Sequence, residues 1–394
     1  MLVKTAVTGE MHRFGGSGTV CVGRAEEFDP ARFGLNEKVQ LIYLDPPFGS
    51  GGTYEFKDKT AVRAYSDKLT TDEYLALMRT VLTKCRDMLT DTGSIYVHLD
   101  YRMSGRIRML MDEIFGEDNL MNEIIWSYKS GGRSMKHYSR KHDTILFYRK
   151  TKRVYFNIAA TGVPRGDVRR NHMKRRADED GRIYFSIRSG GREYRYYEDD
   201  PVYPSDVWDD IEHLHQRDPE RTGFATQKPE ALLRRIICAS SREGDTVCDL
   251  FGGSGTTAAV AAATGRNFVS CDCGAASLFA SRRRLIEQAR STDLFNEEKS
   301  FEVTYTGPGA AQTLSEPEKL VLVTPALGGC FVTVPGTAQA PAFIAVGRIK
   351  DGVFTADDCV LRPKKNDELF IPAGGAVHIV DANCEQGFFT VEES

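Results

Sequence analysis

The stretch TVCDLFGGSGTTAAVAAATGRNFVSCD, residues 246–272, decides the fold class of this chain. An apolar run ends in Asp249, a glycine-rich loop leads into an alanine-rich helical segment, and a second apolar run ends in Asp272. This order of strand, loop, helix and strand predicts part of a doubly wound parallel sheet, in which ligands bind beyond the carboxyl ends of the strands. The glycines let the backbone approach a ligand closely, and a carboxylate at the next strand end suits ribose hydroxyls.

A second strand end carries the candidate chemistry, in LIYLDPPFGSGG at residues 41–52. Pro46 and Pro47 hold the chain extended, so that Asp45, a backbone carbonyl and the Phe48 ring form a stiff shelf. Such a shelf suits a planar aromatic amine, whose two N–H groups donate to Asp45 and the Pro46 carbonyl while its ring stacks on Phe48. Binding both protons frees the nitrogen lone pair for attack on an electrophilic methyl group, without a metal or a covalent intermediate.

The rest of the chain predicts an α/β fold: a doubly wound, mostly parallel Rossmann-like sheet with an inserted basic module and a small β-rich C-terminal domain. Residues 70–89 have helical periodicity and begin with a capping box, Thr70 to Glu73. From residue 120 to 225, short β-like runs alternate with Arg, Lys and Gly before strand–helix alternation resumes. The predicted units are 1–125 (catalytic half), 126–222 (inserted target-recognition region), 223–300 (cofactor-binding half) and 301–394 (β-rich domain).

The net charge of −3 conceals a strong asymmetry along the chain. Residues 126–200 carry 19 Lys and Arg against 9 Asp and Glu, whereas residues 291–394 carry 7 against 15. This distribution predicts one basic working surface. None of the nine cysteines forms a CxxC pair, so no metal site is expected. The start MLVKTAVTGE has no apolar leader core and no run reaches membrane-spanning length, which predicts a cytoplasmic protein.

Taken together, the motifs resemble those of the S-adenosylmethionine-dependent amino-methyltransferases of DNA in their permuted, β-group order. In that order the catalytic D-P-P-[YF] motif precedes the target-recognition region, and the F-x-G-x-G cofactor loop comes last. The segments LIYLDPPF, DTILFY, TQKPEALLRRII and DLFGGSGTT occur in this order within residues 20–290. A copy of FGGSGT at 14–19 follows no strand that ends in a carboxylate, so no function is assigned to it.

The resemblance implies S-adenosylmethionine as the cofactor and assigns roles to individual residues. The catalytic shelf is formed by Asp45, Pro46, Pro47 and Phe48. The residues implied for cofactor binding are Asp249, Phe251, Gly253, Gly255, Thr256 and Asp272, together with Thr226, Gln227 and Lys228. The chain departs from the family pattern at Phe48, where tyrosine is commoner, and at Ala225, where proline often stands.

The expected reaction is methylation of the N6 amine of adenine at a short sequence in double-stranded DNA. The target base must leave the helix to reach the shelf. The aspartate-led motif favours adenine, and cytosine N4 is the alternative within the class. A catalytically silent DNA-binding subunit and an RNA or protein amide methyltransferase are further alternatives. A 5-methylcytosine enzyme is excluded because it needs a cysteine, usually after proline, and the chain has no Pro-Cys pair.

The run RRNHMKRR at 169–176 is the candidate contact to DNA phosphates, and a solvated charged surface is its alternative. Its basic residues are Arg169, Arg170, Lys174, Arg175 and Arg176. A homodimer and a cognate restriction endonuclease stay open as partners. No membrane partner is expected.

Overall fold

The computed structural model of the chain describes residues 2–12, 17–48, 53–57, 61–66, 69–129, 134–165, 173–224, 226–291, 300–305, 313–335 and 340–391, with only the backbone for 53–57, 61–66 and 291. Its α-helices are α1 Thr71–Met88, α2 Ser104–Phe115, α3 Glu230–Ser240, α4 Thr256–Ala263 and α5 Ala275–Ser291. In the described ranges, no helix is long and apolar enough to cross a membrane.

The strands follow in chain order: β1 Leu2–Lys4, β2 Gly9–His12, β3 Gly18–Val22, β4 Val39–Leu44, β5 Thr53–Lys57, β6 Ala61–Ser66, β7 Leu89–Leu99, β8 Leu120–Ser127, β9 His142–Arg149, β10 Val163–Pro164, β11 Lys174–Ala177, β12 Ile183–Ser189, β13 Arg192–Tyr197, β14 Pro201–Val202, β15 Val207–Trp208, β16 Thr246–Asp249, β17 Asn267–Asp272, β18 Phe301–Tyr305, β19 Leu322–Ala326, β20 Gly329–Thr333, β21 Phe343–Lys350, β22 Val353–Leu361, β23 Glu368–Pro372, β24 Ala376–Val380 and β25 Gln386–Val391.

The centre of the fold is a parallel sheet in the order β3, β17, β16, β4 and β7. Every residue of β4 is buried, because helices cover both faces of a parallel sheet and its strands read as continuous apolar runs. The predicted α/β fold with a mostly parallel sheet is therefore confirmed. The predicted cap is also present: the Thr70 hydroxyl accepts from the Glu73 amide, and the Glu73 carboxylate accepts from the Thr70 amide.

The inserted module begins later than the sequence indicates. Strands β8 and β9 extend the central sheet beyond β7 in antiparallel pairing, so the predicted boundary at residue 126 falls inside β8. The run Ile145–Phe147 is buried in β9. The sequence of such a short aromatic strand is the same whether it belongs to an insertion or to the edge of the main sheet, so the sequence did not show where the insertion begins. The separate small sheets, β10–β14 and β11–β12–β13, lie between Arg149 and β15, which rejoins the main sheet beside β8.

The region after residue 300 is continuous with the catalytic sheet, not detached from it as the predicted division at 301 implies. β18 pairs in parallel with β3 and antiparallel with β2. β2 in turn pairs with β22, and β1 pairs with β25, so both N-terminal strands are built into the C-terminal region. The β2–β22 and β1–β25 pairings join residues more than 300 positions apart, which local sequence patterns cannot reveal. The small sheet β19–β20–β23 contributes to a further core in this region.

A buried network of charged and polar side chains connects the two regions. Glu10 on β2 accepts from Arg282 on α5 at 2.6 Å and from the Tyr305 hydroxyl. Its other oxygen lies 2.8 Å from His12 Nε2, and Gln386 on β25 donates to Tyr305 at 2.8 Å. Burial alone would raise the pKa of Glu10, but Arg282 and the histidines outweigh burial and lower it. The carboxylate is therefore charged and compensated inside the protein.

Arg282→Met is expected to lower the free energy of unfolding by about 3–5 kcal/mol, because it leaves the Glu10 carboxylate buried without its cation. Urea unfolding followed by circular dichroism measures this change. The matched control is Arg79→Met, which removes an ion pair whose side chains are 52% and 60% exposed and which is expected to cost far less, because exposed pairs contribute little to stability. Equal losses in the two variants would contradict a structural role for the buried pair.

Candidate active site

Three carboxylates meet in one cleft because β4, β16 and β17 are parallel neighbours. Asp249 and Asp272 end their strands and Asp45 directly follows β4, so all three lie at the same edge of the sheet. They line a single cavity of about 420 Å³. This volume is within the range of roughly 300–1,000 Å³ that is typical of small-molecule sites. The two strand ends predicted from sequence therefore form one site.

Asp45 presents its two oxygens to different surroundings. Oδ2 is paired with the ammonium of Lys228, whose nitrogen also lies 5.3 Å from the centre of the Phe48 ring. Oδ1 is buried, and among the described residues it has no hydrogen-bond partner. A buried acceptor without a partner is costly and uncommon in folded proteins. The cleft thus offers one acceptor to a donor from a ligand.

Phe48 rests on a hydrogen-bonded network that the sequence analysis missed. The ring of His98 stacks beneath Phe48 at 6.2 Å between centroids. His98 Nε2 lies 3.2 Å from the Asp143 carboxylate, and Nδ1 lies 2.9 Å from the Tyr43 hydroxyl. Burial would raise the pKa of Asp143, but His98 outweighs it and lowers that pKa, so the carboxylate is an acceptor. It therefore favours a proton on Nε2, which leaves Nδ1 to accept from Tyr43.

A signal for part of this network exists in the sequence. Tyr43 precedes Asp45 by two positions on one strand, and the period of two places both side chains on the same face. His98 and Asp143 lie near the ends of β7 and β9. Their meeting depends on the antiparallel pairing of these two strands, which a single sequence does not show.

The two other carboxylates fix the glycine loop. Asp249 accepts from the Phe251 amide at 2.9 Å and from the Thr257 hydroxyl at 2.6 Å. Asp272 accepts from the amides of Gly253 and Gly274, at 2.9 and 2.8 Å. The loop is thereby held against the ends of both strands. Asp272 anchors this loop in addition to the ribose role that the resemblance implies.

Gly255 permits the close approach of two helices at the end of this loop. Its backbone has a φ of +74°, and a Cβ there would lie 2.8 Å from the Cα of Ser281 on α5. Neither condition tolerates a side chain. The glycine therefore starts α4 at a sharp turn and lets α5 pack against it.

The segment 226–228 divides into three roles. Thr226 lines the cavity. Gln227 is 2% exposed and its amide is engaged with Thr222 and the carbonyl of Glu220, so it stabilises the segment from below. Lys228, implied by resemblance to serve the cofactor, contacts the Asp45 carboxylate instead and reaches the cavity from that side.

The cavity collects most of the predicted site residues. Those that line it are Asp45, Pro47, Thr226, Lys228, Asp249, Phe251, Gly253, Thr256 and Asp272. Residues outside the prediction also line it, among them Gly23, Tyr43, Phe224 and Cys273.

The predicted DNA contacts lie elsewhere. Arg169 and Arg170 lie outside the described residues, while Lys174, Arg175 and Arg176 are exposed on β11 of the small three-stranded sheet.

The electrostatics of the cavity suit a cationic ligand. Burial raises the pKa of Asp249, the neighbouring carboxylates of Asp45 and Asp272 add to this effect, and the hydrogen bonds from Thr257 and Phe251 oppose it, so that the pKa is about 7. Burial also raises the pKa of Asp272. A positive group bound here would stabilise the charged forms of these acids. The sulfonium of S-adenosylmethionine is such a group, and Oδ1 of Asp45, which no described residue engages, leaves an acceptor for a second ligand beside it.

The parallel strand order, the glycine loop and the carboxylates at the strand ends thus occur together around one cavity. The chain belongs to the N6/N4 DNA methylase family, whose model matches residues 39–278.

Among curated relatives, the type II methyltransferase M.EcaI of Enterobacter cloacae is 30% identical, over 62% of this chain and 64% of its own length. The type II methyltransferase M.HpaI of Haemophilus parainfluenzae is 29% identical, over 66% and 72%. The DNA adenine methyltransferase YhdJ of Escherichia coli strain K12 is 32% identical, over 63% and 76%. The chain thus spans less than two thirds of the length of the Enterobacter protein.

Solved structures overlap with the fold at lower identity. The cytosine-N4-specific PvuII DNA methyltransferase has a TM-score of 0.47 and 16% identity, over 73% of this chain and 92% of its own. The complex of M1.HpyAVI with S-adenosylmethionine has a TM-score of 0.42 and 18% identity, over 68% and 98%.

Affinity for S-adenosylmethionine is expected to increase about tenfold from pH 6 to pH 8 through Asp249. Without ligand its pKa is about 7, so below pH 7 the Asp249 carboxyl must release a proton when a cation binds, whereas above pH 7 it is already charged. Titration calorimetry at several pH values measures this change. Asp249→Asn keeps the shape of the side chain and is expected to remove the pH-dependent contribution of Asp249 to affinity. Comparison of the two proteins cancels pH effects that both share. Identical pH curves for the two proteins would contradict it.

Proposed function

We propose that the protein is a DNA methyltransferase that transfers a methyl group from S-adenosylmethionine to the N6 amine of a flipped-out adenine at a specific sequence. The observation that carries this proposal is Oδ1 of Asp45, which is buried, has no hydrogen-bond partner within the part of the chain that the structure describes, and belongs to a residue that lines the same cavity as the glycine loop. The aspartate-led shelf and the likeness to a relative named as a DNA adenine methyltransferase support adenine over cytosine.

The residues of the shelf prepare the amine for attack. Oδ1 of Asp45 accepts one amine proton, the Pro46 carbonyl accepts the other, and the base stacks on Phe48. S-adenosylmethionine, when bound, supplies an electrophilic methyl group. The nitrogen lone pair would form the new N–C bond, and sulfur would keep the electrons of the S–C bond that breaks. The methylated amine then loses a proton, which Asp45 is placed to accept. Lys228 keeps the carboxylate oriented throughout.

Base extrusion follows from the depth of the shelf. Asp45 and Lys228 are only 16% and 9% exposed at their side chains, so an amine stacked inside a duplex cannot reach them. An enzyme with such a site takes the nucleotide out of the helix. Double-stranded DNA is therefore the proposed partner, and the cytoplasm, where that DNA is accessible, the proposed location.

One face of the small sheet β11–β12–β13 is the proposed DNA contact. Lys174 and Arg176 pair across from Ser186 and Tyr184 on β12, and Arg188 lies on the same face of that strand. Opposed residues in an antiparallel pair share a face. Arg175 lies opposite Phe185 on the other face and is paired with Glu198 at 3.2 Å. We therefore propose the face of Lys174 and Arg176 as the one that contacts DNA, and the face of Arg175 as the one that does not.

To test the proposed reaction, the protein is incubated with labelled S-adenosylmethionine and duplex DNA, RNA or protein in parallel. Nucleoside analysis then identifies the methylated base. We expect N6-methyladenine in DNA at one short sequence. N4-methylcytosine would reassign the base, and label in RNA or protein alone would refute the DNA substrate. Transfer to none of them would indicate a silent DNA-binding subunit. A restriction endonuclease partner is proposed from the type II names of two relatives and is tested by co-purification.

Asp45→Ala is expected to abolish methyl transfer while cofactor affinity changes less than about tenfold, equivalent to 1.4 kcal/mol. The carboxylate mainly holds the amine during transfer, so its loss acts on the chemical step. Single-turnover transfer and calorimetry with S-adenosylmethionine measure the two quantities separately. Transfer within a few-fold of the wild type would remove Asp45 from catalysis.

Replacing Lys174, Arg176 and Arg188 with glutamine is expected to weaken binding to all DNA sequences alike and to leave the methylated sequence unchanged. The slope of log affinity against log salt should fall by roughly 0.9 for each phosphate contact that is lost. Fluorescence anisotropy at several salt concentrations measures the slope. Arg175→Gln, on the other face of the same strand, is the matched control and should keep the wild-type slope. If the triple variant keeps the wild-type slope, the proposal that this face contacts DNA has no support.

A further inference from the structure

The turn between β8 and β9 lies next to the shelf. Its described part, Ser134–Lys141, has the sequence SMKHYSRK and leads directly into β9 at His142. The next residue, Asp143, contacts His98, on which Phe48 stacks. The turn is therefore one residue removed from the network that supports the ring.

Hydrogen bonds give this turn a defined shape. The Ser134 hydroxyl accepts from the amides of Lys136 and His137, both at 3.3 Å. The Ser139 hydroxyl accepts from the Ser134 amide at 3.3 Å. The guanidinium of Arg140 lies 4.1 Å from the centre of the Tyr101 ring, which attaches the end of the turn to the start of the α2 region. The turn is held at its base while its tip projects outward.

The tip displays two large apolar side chains to solvent. Met135 is 99% exposed and Tyr138 is 98% exposed. Four basic or imidazole side chains accompany them in the same eight residues, with no acidic one: Lys136, His137, Arg140 and Lys141. Apolar groups in a cationic setting match a partner that has a negative surface and an apolar interior. Duplex DNA is such a partner, because phosphates surround stacked bases.

We propose that Tyr138, with Met135 beside it, inserts into the DNA base stack at the position that the flipped target nucleotide vacates. This inference rests on the proposed function and adds the element that opens the helix. Apolar wedges commonly enter base steps at a cost of a few kcal/mol for unstacking. An aromatic ring offsets that cost because stacking on a base contributes about 1–3 kcal/mol. The basic neighbours contact the flanking phosphates.

The test compares an intact duplex with one in which flipping is already easy. Once the methylated sequence is known, transfer is measured on that duplex and on the same duplex with the target base opposite an abasic site. Tyr138→Ala is expected to lower kcat/KM on the intact duplex at least tenfold and on the abasic duplex less than threefold. Tyr138→Phe should behave as the wild type, because its ring can still stack.

A second measurement records flipping without chemistry. In the Asp45→Ala background, 2-aminopurine at the target position becomes fluorescent when it leaves the stack. Tyr138→Ala is expected to reduce this signal while binding to DNA of unrelated sequence is kept. Met109→Ala removes a 74% exposed apolar side chain on α2, outside the turn, and as the control should change neither signal nor rate.

Three results would overturn the wedge. Unchanged transfer by Tyr138→Ala on the intact duplex would make Tyr138 an ordinary exposed side chain. Equal losses on both duplexes would place its role outside flipping. Full 2-aminopurine fluorescence in the variant would exclude a part in holding the base out. A wild-type protein that methylates no DNA would instead refute the proposed function, and the wedge with it.

Discussion

The site depends on one asymmetric carboxylate. Asp45 is held at the end of a buried strand, where Lys228 compensates its charge through one oxygen and the other oxygen has no partner among the described residues. A carboxylate with both oxygens engaged could not receive an amine. Lys228 therefore holds Asp45 through one oxygen and leaves the other oxygen available in the cleft.

The sheet supplies the geometry that this asymmetry needs. Parallel pairing of β4, β16 and β17 places the shelf and the glycine loop at one edge. The further pairing of β18 with β3 and β2 extends the same sheet into the C-terminal region. The charged pair of Glu10 and Arg282 lies at this junction, with Arg282 on the helix that packs against Gly255. The C-terminal strands thus belong to the framework behind the cofactor loop.

Sequence reasoning was effective where chemistry and chain are local. The shelf from Asp45 to Phe48, the strand ends at Asp249 and Asp272, and the Thr70 cap each lie within a few consecutive residues. It failed where contacts join distant strands. His98 and Asp143 meet only through strand pairing, and residues 2–12 pair with strands beyond residue 350. The start of the insertion was misplaced because the buried β9 run has no feature that distinguishes a sheet edge from a separate module.

Strand pairing also determines how precisely recognition can be coupled to chemistry. Trp126 pairs with Asp143 in the β8–β9 ladder, and Thr144 pairs with Leu99, the neighbour of His98. The turn at Ser134–Lys141 therefore leads into a strand that is paired with both β7 and β8 and that reaches Phe48 through Asp143 and His98. The β11–β12–β13 sheet lies in a long connection and, among the strands that the structure describes, pairs with none of the central sheet. Opening of the DNA helix is assigned to the turn at Ser134–Lys141, because the position that the target base leaves must face Asp45. Recognition of the DNA sequence can reside on the β11–β12–β13 sheet, because changes in that sheet do not disturb the amine site.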